Sequence, residues 1–214
     1  LGPVDPNERL ALNTSQNQLE GVVDLTSRLS VRGGYRYVWS DTELFSQVEN
    51  STQAVRLNRH VGLAGFGFRL PRRVDVSLDF EAGEGNQVYS RTDVLDYRKT
   101  RLRGRYQPWE IVTVSGAISL LDHENTRPDL DYDFQSHGYT VSVNVAPGGG
   151  KRVTANLDYS RSDLSSDILF LIPQLFVSDR SVYIEDSHYG GLSLEFGIVR
   201  DIRLRVGYNV LSTS

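Results

Sequence analysis

The stretch KTRLRGRY, residues 99–106, decides the fold because cations occupy every second position in it. The four cations are Lys99, Arg101, Arg103 and Arg105. In a helix these side chains would spread around the cylinder, whereas in a strand they all point to one side. A row of cations on one face is costly unless water or carboxylates lie opposite. The stretch therefore predicts a strand and asks what faces its charged side.

The preceding strand-like segment, 74–83, supplies carboxylates for that side. We expect the two segments to pair antiparallel, because the connection 84–93 returns the chain. One register places opposite charges directly across from each other in three of four pairs. The pairs are Glu81 with Lys99, Asp79 with Arg101, Ser77 with Arg103 and Asp75 with Arg105. Cross-strand pairs of opposite charge stabilise a sheet, so this register is the prediction.

Alternation with a period of two recurs along the chain, which is typical of strands and not of helices. It appears at 29–40, 74–83, 112–121, 139–145, 153–160 and 202–210. Short turns are predicted near 26–28, 71–73, 107–110, 147–151 and 199–201. Long polar loops are predicted at about 41–58, 83–94, 122–136 and 161–185. The pattern predicts about ten long strands in a single domain, 1–214, after an irregular lead-in, 1–15.

Composition narrows the class of protein. Hydrophobic residues make up 39% of the 214 residues, and no run approaches the roughly 18 apolar residues that a membrane helix needs. The net charge of −4 argues against a general nucleic-acid binder. Cysteine is absent, which excludes disulfides and thiolate metal sites. Methionine is absent even at position 1, so we expect the chain to begin inside a longer gene product.

Long alternating strands with unequal connections at their two ends resemble the outer-membrane β-barrels of Gram-negative bacteria, including porins. Aromatic residues fall where membrane-interface girdles would lie, at Trp39, Tyr106, Trp109 and Tyr159. The resemblance implies an antiparallel up-and-down transmembrane barrel with short periplasmic turns, long outer loops and lipid around it. It also implies a charged lumen, lined by the residues of the two strands above and by Arg32, Arg36, Asp158, Glu195, Arg203 and Arg205.

Three functions follow from that resemblance. The first is a channel, in which the lumen charges either fill the interior or select solutes. The second is a sheath barrel around a partner such as a multihaem cytochrome. The chain has no CxxCH motif, so any haem would belong to that partner, and we predict no cofactor here. The third is a surface enzyme, for which Asp122, His123, Asp129 and Asp131 are the candidates. We predict that the protein is not an enzyme, because no motif supports catalysis.

Several features leave alternatives open. The ten strands would form either a closed barrel or, as we expect, an arc of a larger one. A β-propeller is disfavoured, because each blade needs four short strands. Asp129, Asp131 and Asp133 lack the glycine and glutamate of a calcium loop, and PGGGK, 147–151, is predicted to be a hairpin turn. The apolar segment 164–179 would extend the flanking strands, bind a partner or narrow the lumen.

Overall fold

The computed structural model describes residues 8–46, 51–71, 73–86, 95–127, 130–150, 153–172, 177–199 and 202–214. These residues form one antiparallel sheet of ten strands in sequential order, each hydrogen-bonded to the next. The strands are β1 (Glu8–Thr26), β2 (Leu29–Ser46), β3 (Ser51–Leu70), β4 (Val74–Gly85), β5 (Asp96–Trp109), β6 (Val112–Arg127), β7 (Leu130–Val145), β8 (Val153–Ile172), β9 (Val177–Val199) and β10 (Ile202–Thr213). The all-β, up-and-down architecture and the number of strands are as predicted.

The short turns lie at one edge of the sheet, which we call the turn end. The intervals there are 27–28, 71–73, 110–111, 146–152 and 200–201, and one contains a single 3₁₀ turn, Pro147–Gly150. Arg73 and Gly148 adopt positive φ in these turns. The PGGG sequence is thus part of a strand connection, as predicted.

The prediction of long loops at the opposite end is wrong for three of the four connections. Strands occupy most of 41–58, 122–136 and 161–185, and the intervals that remain are only 47–50, 128–129 and 173–176. Polar residues there resemble a loop in composition, but their backbones continue the ladder of cross-strand hydrogen bonds. The apolar segment 164–179 belongs largely to the ends of β8 and β9. The fourth interval, 86–95, is long.

The N-terminal lead-in also differs from the prediction. β1 begins at Glu8 and pairs with β2 from its first residue, Glu8 with Ser46. Residues 8–15 are therefore strand, since β2 offers them an unbroken row of partners, and 1–7 lie outside the described residues.

The sheet has almost no hydrophobic core. Among the described residues the buried hydrophobic side chains are Val61, Leu130 and Tyr132. The accessible surface is 15209 Å², whereas a compact globular protein of 24.1 kDa exposes about 10,000 Å². Both faces of the sheet are open, and within the described strands β1 pairs only with β2 and β10 only with β9. Stability must therefore come from contacts other than a packed interior.

Candidate functional site

The register between β4 and β5 is the predicted one. Asp75 pairs with Arg105, Ser77 with Arg103, Asp79 with Arg101 and Glu81 with Lys99. Continuing the paired rows across the sheet places the other predicted lumen residues on the same side: Arg32, Arg36, Asp158, Glu195, Arg203 and Arg205. We call this side the charged face. The sheet thus brings together every charged residue that the sequence assigned to one surface.

The ion pairs on this face do not follow the direct cross-strand pairs. Asp79 accepts hydrogen bonds from Arg103, its diagonal neighbour on β5, and from Arg32 on β2. Glu81 accepts a hydrogen bond from Arg36, with 2.9 Å between Nη2 and Oε2. The carboxylates of β4 therefore bridge β2 and β5. A register alone could not give this result, because two residues opposite each other need not turn their charged ends together.

Glycine at position 65 makes the contact between Arg32 and Asp79 possible. Gly65 lies on β3 between Arg32 and Asp79 in the paired row, and it is buried beneath their contact. A Cβ atom there would lie 2.9 Å from Asp79 Oδ1 and 3.2 Å from Arg32 Nε. The absence of a side chain lets the guanidinium of β2 cross one whole strand to reach β4. Arg32 also contacts Glu20 on β1, with 3.3 Å between Nε and Oε1.

A second glycine on the charged face accommodates an aromatic ring. The Tyr97 ring lies directly over Gly83, where any side chain would collide with it. From this position the Tyr97 hydroxyl accepts a hydrogen bond from Arg36 at 2.8 Å and donates one to Glu81 at 3.4 Å. Tyr97 therefore fixes the Arg36–Glu81 pair from a third strand.

Three of the four cations of the ladder are left without a counter-charge. One is Arg105, which forms no ion pair with Asp75 or another described carboxylate. The other two lie on a common cavity. Among the described side chains, Lys99 and Arg101 have no carboxylate oxygen within 4.0 Å. They border an open cavity of about 190 Å³ on the charged face. The cations that line it are Arg32, Arg36, Lys99, Arg101 and Arg103, and the carboxylates are Glu20, Asp79 and Glu81.

A row of aromatic rings, which was not predicted, lies on the charged face next to this cavity and farther from the turn end. His123 stacks on Phe134, with ring centroids 5.1 Å apart, and meets the edge of Tyr97 at 6.0 Å. Burial lowers the pKa of His123, and the positive charge of Arg59 lowers it further. The sequence suggested a surface loop for His123, because DHEN is polar in composition. Its alternation with Asp122 and Glu124 is the signal that places it on the charged face.

The candidate enzyme residues that the structure describes do not share one site. His123 lies on the charged face, whereas its chain neighbour Asp122 and, on β7, Asp131 lie on the other face. Asp129 lies outside the described residues. Among the described residues, no group of three or more His, Asp or Glu side chains is placed to hold a metal ion.

The opposite side of the sheet is apolar near the turn end, and we call that part the apolar belt. Its side chains include, one from each strand, Val23, Val31, Phe66, Phe80, Leu102, Ile118, Val141, Leu157, Leu192 and Leu204. Phe80 is 45% exposed and Leu102 is 39% exposed, so no second layer covers them in the part of the chain that the structure describes. An uncovered apolar surface of this extent marks contact with another phase or molecule.

The belt ends abruptly towards the other edge of the sheet. At this boundary the Tyr35 hydroxyl lies 2.5 Å from His60 Nδ1, and the Tyr159 hydroxyl lies 2.9 Å from His188 Nδ1. Beyond the boundary the same face carries charges, and we call this part of the strands the polar extension. Its residues include Glu84, Arg98, Asp122, Glu124, Asp133, Asp163, Asp167 and Asp186.

Comparison with known proteins adds no family. No protein-family model matches the chain, and no curated protein matches its sequence. The part of the chain that the structure describes contains no helix with the length and hydropathy of a membrane span.

Proposed function

We propose that this sheet is the wall of an outer-membrane β-barrel that forms a channel, with the charged face lining a water-filled lumen and the apolar belt facing lipid. The observation that carries the proposal is the combination of a belt on one face only and a sheet without a core. A soluble sheet would cover such a belt with a second layer. Lipid would cover it here, and water would solvate the charges behind it.

The height of the belt supports this environment. On β6 the belt runs from Val112 to Leu120, and then Asp122 follows on the same face. Nine residues of strand span about 27 Å, and a tilt of about 40° reduces the height to about 20 Å. Transmembrane barrels carry an apolar band of about 25 Å.

Aromatic residues at both margins of the belt add to the argument. Tyr35, Tyr139 and Tyr159 lie at the margin towards the polar extension, whereas Tyr106 and the 66% exposed Trp109 lie at the turn end. Tyrosine and tryptophan favour the boundary between lipid and water because one end of each side chain is polar. Such a barrel would place the short turns in the periplasm and the polar extension outside the cell.

A channel requires the sheet to close, and the two edge strands are suited to each other. With ten strands, β1 and β10 run in opposite directions and can pair antiparallel. On the charged face near the turn end, β1 carries Glu20 and Asp24, while β10 carries Arg203 and Arg205. Opposite charges would therefore meet at the seam, where unpaired strand edges are otherwise a liability.

Strand tilt gives the register of this seam. Following the paired residues across the sheet leads from Asp24 on β1 to Leu211 on β10. Ten strands tilted by about 35° need a stagger of about ten residues on closure. The rows climb from the belt on β1 to the polar extension on β9, so β10 must shift towards its start. The shift brings Arg205 opposite Glu20 and keeps the two faces intact.

Single-channel recording in a planar bilayer tests the function. The purified chain, folded in detergent and added to the bilayer, is expected to give discrete steps of ion current. In a salt gradient the Arg101→Gln variant should shift the reversal potential, because Arg101 faces the lumen. Arg98→Gln is the matched control. The Arg98 side chain lies on the outer face, opposite the charged face, so its loss should leave the reversal potential unchanged. A folded chain that never conducts would contradict the channel and favour a sheath around a partner.

Closure has its own test, which the absence of native cysteine makes simple. Glu20→Cys and Arg205→Cys, combined in one chain, should form an intramolecular disulfide after folding, because facing residues of neighbouring strands lie within disulfide reach. Glu20→Cys with Leu204→Cys is the control, since the second side chain points to the other face. Disulfide-linked dimers would mean that β10 of a second copy completes the wall. Absence of any disulfide would mean that other strands do so.

A further inference from the structure

We propose that the cavity at Lys99 and Arg101 binds small oxyanions, such as phosphate or the carboxylate of an organic acid, and makes the channel anion-selective. This inference rests on the proposed function, because the ligand would arrive through the water of the lumen. It goes beyond that function by naming the class of solute.

The charge balance of the cavity is the first support. Five cations line it against three carboxylates. All three carboxylates already have partners: Glu20 contacts Arg32, Asp79 contacts Arg32 and Arg103, and Glu81 contacts Arg36. The surplus positive charge therefore falls on the remaining two cations, Lys99 and Arg101.

The surplus of positive charge at Lys99 and Arg101 is explained by β3, the strand between β2 and β4. Lys99 and Arg101 stand directly opposite Glu81 and Asp79, so a simple ladder would neutralise them. Because Gly65 leaves the path from β2 open, Arg32 reaches Asp79. Arg36, also on β2, pairs with Glu81 and donates to the Tyr97 hydroxyl. The carboxylates of β4 thus pair with Arg32 and Arg36 of β2 and with Arg103 of β5, and they leave Lys99 and Arg101 without an ion pair.

The shape and chemistry of the cavity suit a small oxyanion. A volume of about 190 Å³ holds a phosphate group with part of its hydration shell, since one water occupies about 30 Å³ of liquid. A guanidinium offers paired N–H donors that match two oxygens, and an ammonium adds a compact charge beside it. Arg101 is exposed and Lys99 is half-buried, so an anion can reach both. Neither forms an ion pair with a described carboxylate that binding would have to break.

Ion selectivity is the first test. In a potassium chloride gradient the reversal potential should show a preference for chloride over potassium. Lys99→Gln and Arg101→Gln should each reduce the ratio of chloride to potassium permeability, on the order of fivefold, as expected for removing a unit charge a few ångströms from the ion path. Arg98→Gln removes the same charge on the opposite face and should leave the ratio unchanged. Conductance with a preference for potassium would overturn the proposal and leave the channel intact.

Direct binding separates the site from the channel. Inorganic phosphate is titrated into the detergent-folded chain and followed by phosphorus-31 NMR line broadening, which needs no conductance. The unmodified chain and Arg98→Gln should broaden the signal equally, and the Lys99→Gln/Arg101→Gln variant should not. Binding in a chain that never conducts would support the site and overturn the channel. Broadening that survives the double substitution, or no broadening in the unmodified chain, would overturn the site.

Discussion

The apolar belt and the polar extension are continuous along the same strands, yet they differ in what each face meets. In the belt, one face is apolar and the other charged, so alternation along the sequence is sharp. On β7 the extension reverses this pattern: the outer face carries Asp131 and Asp133, and the inner face carries the buried Leu130 and Tyr132. Backbone pairing is equally regular in both. Alternation therefore reports a difference of environment between two faces and not the strand itself.

The largest effect is expected when a charge is placed in the belt. In the proposed barrel, Leu102→Arg, near the middle of the belt on β5, is expected to destabilise the protein by about 2–4 kcal/mol, because the guanidinium would face lipid. Folding into lipid vesicles, followed by urea titration and gel mobility without heating, measures the loss.

The matched substitution in the extension is Ser165→Arg on β8. Ser165 is exposed on the same face but lies beyond the boundary, so we expect a change within about 0.5 kcal/mol. Equal destabilisation by the two arginines would mean that lipid does not cover the belt, and the proposed function would lose its main support.

Gly65 gives the next largest effect, on the charged side of the belt. Gly65→Ala inserts a Cβ atom against Asp79 and Arg32 and is expected to cost about 1–3 kcal/mol in urea unfolding. Gly138→Ala on β7 is the control, since its new Cβ would meet its nearest heavy atoms at 3.9 Å, an ordinary contact. In an Asp79→Asn background the cost of Gly65→Ala should shrink. The same cost in both backgrounds would contradict a role for Gly65 in the ion-pair bridge.

Much of the belt was predictable from the sequence, and the reason is physical. Alternation placed the strands and their two faces, and the charges of 75–81 and 99–105 gave the register between β4 and β5. Neither signal depends on long-range packing, because each uses only the fixed twofold period of a strand.

The rest of the site depended on side chains from strands far apart in sequence. Arg32 and Asp79 meet across Gly65, a contact that requires the order of three strands and the lack of a side chain on the middle one. Tyr97, His123 and Phe134 were hidden for a different reason. They belong to the extension, where the polar outer-face residues that alternate with them make the sequence resemble a loop in composition.

The smallest effect concerns the extension itself, where carboxylates from three strands stand side by side. Asp133 on β7 lies directly opposite Glu124 on β6 and Asp167 on β8. Partial burial raises the pKa of Asp133, and the negative charges of Glu124, Asp122, Asp131 and Asp167 raise it further. The Asp133 carboxylate therefore binds a proton more tightly in the folded extension than in the unfolded chain.

The contribution of Asp133 to the stability of the extension should accordingly increase as the pH falls through its raised pKa. At neutral pH, Asp133→Asn is expected to stabilise these strands by about 0.2–1 kcal/mol, because like charges directly opposite each other destabilise a sheet. Amide hydrogen exchange of β6, β7 and β8, with base-catalysed exchange rates corrected for pH, measures the effect. Asp131→Asn is the control, since Asp131 faces Thr126 and Leu169 and accepts a hydrogen bond from the Thr126 hydroxyl. The gain from Asp133→Asn should vanish once acid protonates the unmodified carboxylate. A gain that persisted in acid would point to a packing effect and would remove repulsion between strands as its cause.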